Sequence, residues 1–195
     1  MSLFFETVKI ENGKIANAPY HNARLNRTIR ENFSLCPNYD IRDYIDLSKV
    51  PKQGIYRCKL IYDMQIHDIT LSPYQKRTYQ SFRFIEADID YRYKYLDRSR
   101  IEALSAQKGE CDDIIITKEG FLQDTSIANI AFYDGLFWYT PDTPLLEGTL
   151  RAQLLHEKKL KTAPITTKSY QKYTKFAIMN AMTGFYQLKN ITFKF

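Results

Sequence analysis

Cysteine is scarce in this chain: three in 195 residues, Cys36, Cys58 and Cys111, an odd number with no CxxC spacing. That excludes a disulfide-stapled scaffold and a cysteine zinc site. The three are expected to be reduced and at least partly buried, and no metal is expected. There is no apolar run of membrane-spanning length, and no positively charged leader followed by an apolar core opens the chain. A cytoplasmic protein without a membrane partner is therefore expected. No internal repeat or low-complexity tract occurs. Positive charge lacks a focus: the net +6 is spread along the chain, with Lys158-Lys159-Leu160-Lys161 the densest run. A nucleic-acid binder concentrates such charge in a stripe or motif, so no nucleic-acid partner is expected. The surplus reads as a solvated basic surface, with attraction of an anionic substrate as the alternative.

What is present is enough for a packed core: 44% hydrophobic residues, 14% aromatic. Leu3 to Ile10 has strand character, Glu11-Asn12-Gly13 is a hairpin turn, and Lys14 to Ala18 returns. A helix follows over Tyr20 to Arg30 and a short one over Asp40 to Leu47, then paired strands over Gly54 to Tyr62 and Ile66 to Leu71. The polar stretch Ser72 to Ser81, carrying Pro73, is the best boundary. Beyond it come a strand (Phe82 to Ala87), a helix (Ser99 to Lys108, with Ser99 and Glu102 as a capping-box pair), a strand at Asp112 to Thr117 and a hairpin of Ile127 to Tyr133 and Leu136 to Tyr139 about Asp134-Gly135. A helix over Gly148 to Lys159 and strands near residues 162–165, 176–180 and 191–195 close the chain. The fold class is α+β, divided into a small α/β domain, 1–77, and a larger strand-rich domain, 78–195.

Four features could carry chemistry. Lys94 stands just before a helical run, and Asp124 is an acid in the otherwise uncharged segment Gly120 to Asn129. Arg24 lies in a helix after a hairpin, and Gly148-Thr149-Leu150-Arg151 opens a helix. Together they supply an amine, an isolated acid, a bidentate phosphate partner and a helix start whose N–H groups can face an anion. Lysines and aspartates are common, and Lys59, on the strand face shared by Arg57 and Ile61, is a rival amine.

The ordered motifs narrow this. Phe5-Glu6-Thr7-Val8, Asn12-Gly13-Lys14-Ile15, His21-x-x-Arg24-Leu25, Lys94-x-Leu96-Asp97-Arg98, the Gly120 to Asn129 block, and Thr140-Pro141 leading to Leu146-x-Gly148-Thr149-x-Arg151 span nearly the whole chain. In that order they resemble the class IV aminotransferase family, pyridoxal-phosphate enzymes of fold type IV that include branched-chain and D-amino acid aminotransferases and aminodeoxychorismate lyase. The resemblance implies Lys94 as the Schiff-base lysine and proton shuttle, and Arg24 on the cofactor phosphate, supported by Gly148, Thr149 and the N–H groups of Thr149 and Leu150. It implies Asp124 on the ring nitrogen, where the family usually has Glu. Leu150 stands where the family has a second hydroxyl, and the family usually opens with roughly 20–30 further residues. Also implied are two α/β domains with the cofactor between them, and a homodimer.

Two short motifs lean toward the lyase, which makes 4-aminobenzoate and pyruvate for folate synthesis. They are Lys94-Tyr95-Leu96-Asp97-Arg98 and Met179-Asn180-Ala181-Met182. An aminotransferase acting on a branched-chain or D-amino acid, and a non-catalytic relic, remain alternatives. The carboxylates of an anionic substrate require a cation, for which Arg57, Arg92 and Arg98 are candidates. His21 is expected to pack at a helix start, Asn129 to fix a turn, Arg151 to lie on a helix surface or in a structural ion pair, and Tyr93 and Tyr95 to be core aromatics.

Overall fold

The computed structural model describes residues 2–195. The chain forms two compact units: one runs through Lys76 and takes in Tyr93–Asp97, and the other comprises Arg77–Arg92 and Arg98–Phe195.

In the first unit, β1 (Phe4–Glu11) alternates so that Phe4, Glu6, Val8 and Ile10 are all fully buried. Three of these are apolar, each worth about 1.5–3 kcal/mol on burial; Glu6 is the exception. Asn12 and Gly13 take φ 50° and 73°, the left-handed pair a tight hairpin needs, and β2 (Lys14–Ile15) pairs only with the end of β1. The next element, α1 (Ala18–Phe33), carries Pro at its first turn and ends on Ser34 in the left-handed region, whose N–H bonds the Arg30 carbonyl. Its buried residues Ala18, His21, Arg24, Leu25, Thr28 and Ile29 recur at helical spacing, so one stripe faces inward. The strands β3 (Ile55–Tyr62) and β4 (Ile66–Pro73) complete an antiparallel sheet ordered β2-β1-β3-β4. α1 and the buried face of that sheet share one core, with Leu25, Ile29, Cys58, Leu60 and Tyr62 at its centre.

Where β2 stops, the free edge of β1 is taken by residues 94–96. The Phe5 N–H donates to the Lys94 carbonyl (3.1 Å), Leu96 N–H to the Leu3 carbonyl (2.8 Å), and Tyr95 bridges Phe4. Residues 93–97 were expected in the larger domain; these bonds and the Phe4–Tyr95 ring contact (5.3 Å) put them with the first unit.

The second unit is a nine-stranded mixed sheet with two helices. In chain order it contains β5 (Ser81–Glu86), α2 (Ser99–Ser105), β6 (Asp113–Lys118), β7 (Phe121–Thr125), β8 (Asn129–Tyr133), β9 (Trp138–Pro141), α3 (Thr149–His156), β10 (Lys161–Ala163), β11 (Lys175–Asn180), β12 (Gly184–Leu188) and β13 (Thr192–Lys194). The sheet order is β10-β9-β8-β7-β6-β5-β13, with β11 joining β8 and β12. Phe82, Ile115, Leu122, Ile130, Phe132, Phe176 and Ile178 fill its core.

Several local expectations change. β7 and β12 were not anticipated. α2 is capped by Arg98 without a side-chain bond, so Ser99, expected as the cap, is its first helical residue. Asp40 and Asp46 each accept an N–H two residues on and cap separate 3₁₀ turns, at Ile41–Asp43 and Leu47–Lys49, where one helix was expected. Cys58 and Cys111 are buried, but Cys36 is exposed.

Candidate active site

In the first unit, Lys94 is half-buried and lies in the left-handed backbone region at φ 57°. That conformation costs a residue with a Cβ about 1–2 kcal/mol. The bonds to Phe5 and Leu3 on either side hold it there. Its Nζ stands 4.5 Å from the centroid of the Phe5 ring. Tyr93 and Tyr95 pack on Phe4 (6.2 and 5.3 Å between centroids).

Behind that face, on the opposite side of β1, lies a polar cluster that sequence reasoning missed. Glu6 is fully buried, and Arg24 donates to both its oxygens, Nε to Oε1 at 2.7 Å and Nη2 to Oε2 at 2.6 Å. His21 Nδ1 lies 2.6 Å from the same Oε2. Burial pushes the Glu6 carboxyl up, but the Arg24 and His21 charges and hydrogen bonds more than reverse it and hold it well below the usual carboxylate range. Arg24 therefore spends one edge of its fork on a protein carboxylate. His21 is more than a helix-start packing residue. The available signal was parity: an acid sharing the inward register of Phe4, Val8 and Ile10 needs a buried cation.

In the second unit, Asp124 lies on β7 and is buried. Its Oδ1 accepts from Asn129 Nδ2 (2.7 Å) and its Oδ2 from the Leu146 N–H (2.9 Å). Asn129 Nδ2 also donates to the Leu146 carbonyl at 2.7 Å, so this side chain ties β8 to the loop before α3. Burial pushes the Asp124 carboxyl up to about 6, opposed but not reversed by those two bonds and the field of Arg151. Arg151 is buried rather than on a helix surface, and its Nη2 donates to the Pro141 carbonyl at 2.9 Å. Gly148 caps α3 without a side-chain bond, Thr149 is buried, and Leu150 packs partly on the cluster around Ala177 and Met179. A Cβ on Gly148 would stand 2.0 Å from Asn129 Oδ1. Gly148→Ala must therefore dislodge Asn129 from Asp124, and a loss of about 1–3 kcal/mol in urea unfolding is expected.

The substrate candidates fare differently. Arg98 donates to the Tyr91 hydroxyl and to the Ser126 carbonyl, each at 2.8 Å, and so latches the turn after β7. Arg92 pairs with Asp90 at 3.0 Å on the surface. Arg57 is exposed on β3, with Nε 3.3 Å from Ser72 Oγ. Asn180 fixes the β11–β12 turn by accepting from the Met182 and Thr183 N–H groups (2.9 and 2.8 Å).

Among the described residues no cluster of His, Cys, Asp and Glu could hold a metal, and no helix is long and apolar enough to cross a membrane.

Residues 62–191 match the family described as amino-transferase class IV. A Haemophilus influenzae protein described as uncharacterised is 40% identical over 183 residues, 92% of this chain and 97% of that one. A crystal structure of a candidate 4-amino-4-deoxychorismate lyase from Haemophilus somnus 129PT is similar at 36% identity and a TM-score of 0.84, covering 94% of this chain and 98% of that one. A hypothetical aminotransferase from Mycobacterium tuberculosis, in its PLP-bound form, shares the fold at 16% identity (TM-score 0.77; 98% of this chain, 81% of that one). The chain belongs to the class IV aminotransferase family. It has the α+β fold of type IV and is a pyridoxal-phosphate-dependent enzyme acting on a small molecule.

The residues present fit that cofactor. Asp124 is a buried acid held by two neutral hydrogen bonds, so its ionisation is only partly compensated. A protonated ring nitrogen at this carboxylate would add a second positive charge to that of Arg151. The uncapped start of α3 suits a phosphate. The pH dependence follows from the raised folded-state value. Asp124 contributes stability below its unfolded value near 3.8 and loses it as pH rises through about 6. Between pH 4 and 7.5, cofactor-free Asp124→Asn should gain about 2–3 kcal/mol relative to wild type in urea unfolding. A pH-independent difference would contradict this.

Proposed function

We propose that the enzyme is a lyase that converts 4-amino-4-deoxychorismate to 4-aminobenzoate and pyruvate, in the cytoplasm and as a homodimer, supplying folate synthesis. The observation that carries the site is Lys94, held in a left-handed backbone conformation with its amine against Phe5. The lyase-like segments Lys94 to Arg98 and Met179 to Met182, and the similarity to the candidate lyase, support the reaction.

In this reading Lys94 holds the cofactor's aldehyde carbon, Asp124 its ring nitrogen, and Arg24 with Gly148, Thr149 and the Leu150 N–H its phosphate. When bound, pyridoxal phosphate supplies an electron sink. The Lys94 amine, freed when the substrate's own amine takes its place, would then take the proton from the amine-bearing ring carbon of the substrate. The enolpyruvyl ether bond breaks, the ring becomes aromatic, and the departing enol takes up a proton to become pyruvate. Aromatisation makes the step strongly downhill, so few substrate contacts are needed. Asp124 remains ionised beside the ring nitrogen.

One observation keeps the aminotransferase alternative: Arg98, which distinguishes the lyase-like motif, is spent on Tyr91 and Ser126. Supplying 4-amino-4-deoxychorismate and assaying 4-aminobenzoate and pyruvate tests the proposal. Turnover only of branched-chain or D-amino acids with keto acids would reject it in favour of the aminotransferase.

A further inference from the structure

The Phe5 ring is shared by two lysines. Lys94 Nζ lies 4.5 Å and Lys59 Nζ 5.2 Å from its centroid. Sheet register makes this unavoidable. Phe5 pairs with Ile61 and Thr7 with Lys59, so these residues and Arg57 share the face of the sheet turned away from α1. Lys94 reaches the same ring from the strand edge, anchored through its carbonyl to the Phe5 N–H. The two amines are no farther apart than those distances together, about one Debye length (roughly 10 Å) at 0.1 M salt.

On the same face Lys9 is already paired with Glu11 at 2.7 Å, Arg57 meets Ser72, and β4 offers Asp68, exposed and opposite Ile61. From the 93–97 segment comes Asp97, which is exposed, while Tyr93 and Tyr95 turn to Phe4 on the other face. Glu6, with Arg24 and His21, occupies the opposite face.

We propose that Lys59 is a positioning residue for Lys94: its positive charge, fixed beside the same ring, drives the Lys94 amine toward its neutral, nucleophilic form. The inference rests on Lys94 being the lysine that bears the cofactor. Lys59 itself forms no bond to the cofactor in this role. A lysine amine reacts with an aldehyde only when unprotonated, so a neighbouring cation widens the pH range in which it works.

The test uses the full chain stripped of cofactor and mixed with pyridoxal 5′-phosphate across a range of pH. Covalent adduct is read by visible absorbance, then reduced with borohydride and mapped by peptide mass. The expected result is an adduct on Lys94 whose midpoint pH rises by about half to one unit in Lys59→Met, while Lys59→Arg stays near wild type. Raising the salt to 1 M should move the wild-type midpoint in the same direction and leave that of Lys59→Met in place. Should Lys59→Met fail to fold, the wild-type salt response decides. An adduct on Lys94 with a midpoint indifferent to Lys59→Met, or to salt, overturns the role of Lys59 and leaves Lys94 standing. An adduct on Lys59, or on neither lysine, overturns both.

Discussion

Lys94→Ala is expected to abolish the visible absorbance of cofactor-loaded protein and to lower turnover by at least about 10³-fold. The size of the effect follows from chemistry: alanine offers no amine to hold an aldehyde or to carry a proton. The fold should survive. Alanine has the same Cβ as lysine, so the left-handed backbone at this position is strained equally in both. What the protein loses structurally is the ammonium against Phe5, worth about 0.5–1 kcal/mol at a partly exposed site. Near-wild-type urea unfolding with no absorbance and no turnover is the predicted combination. Retained turnover in Lys94→Ala would move the covalent role elsewhere, with Lys59 the first place to look.

The second large effect is on stability. Glu6→Ala should cost about 3–5 kcal/mol in urea unfolding, because it leaves the buried Arg24 guanidinium and the buried His21 ring without their common acceptor. Glu6→Gln keeps the volume and one acceptor oxygen, so a smaller loss is expected. The pH response has the opposite sign to that of Asp124. The folded-state value of Glu6 is depressed, so its contribution is fully present above its unfolded value near 4.5 and is lost as pH falls below it. The Glu6→Gln and wild-type stabilities should therefore converge on acidification. A constant gap between pH 7 and pH 3 would mean that the cluster is held by packing and not by charge.

The legible parts of the chain are those where side-chain period and function agree. β1 and β3 announce themselves by alternation, and the Asn12-Gly13 turn by its backbone demand. β7 stayed hidden because Phe121-Leu122-Gln123-Asp124-Thr125 is short, and its inward residues after Leu122 are polar. Asp124, one of them, is the acid proposed for the site, so the pattern fails where the proposed chemistry overrides it. β12 opens on a glycine and sets an exposed Phe185 beside a partly buried Tyr186, which also blurs its period.

Among the site residues, Lys94, Asp124, Arg24 and the Gly148 start of α3 could be named from motifs, but their partners could not. Which oxygen of Asp124 meets Asn129, or that Arg24 grips Glu6, depends on strand register and on the helix face turned inward. Arg98 shows the converse: a motif arginine suggested a substrate contact, and the fold uses it on Tyr91 and Ser126. Lys59 was distinguished from Lys94 only as a rival, whereas the β1–β3 register puts both against one ring.

The most direct test of the central claim is to load the wild-type protein with pyridoxal 5′-phosphate, reduce it with borohydride and sequence the labelled peptide. A single pyridoxyl group on Lys94 is the predicted result. Label on any other lysine, with Lys94 unmodified, would contradict it.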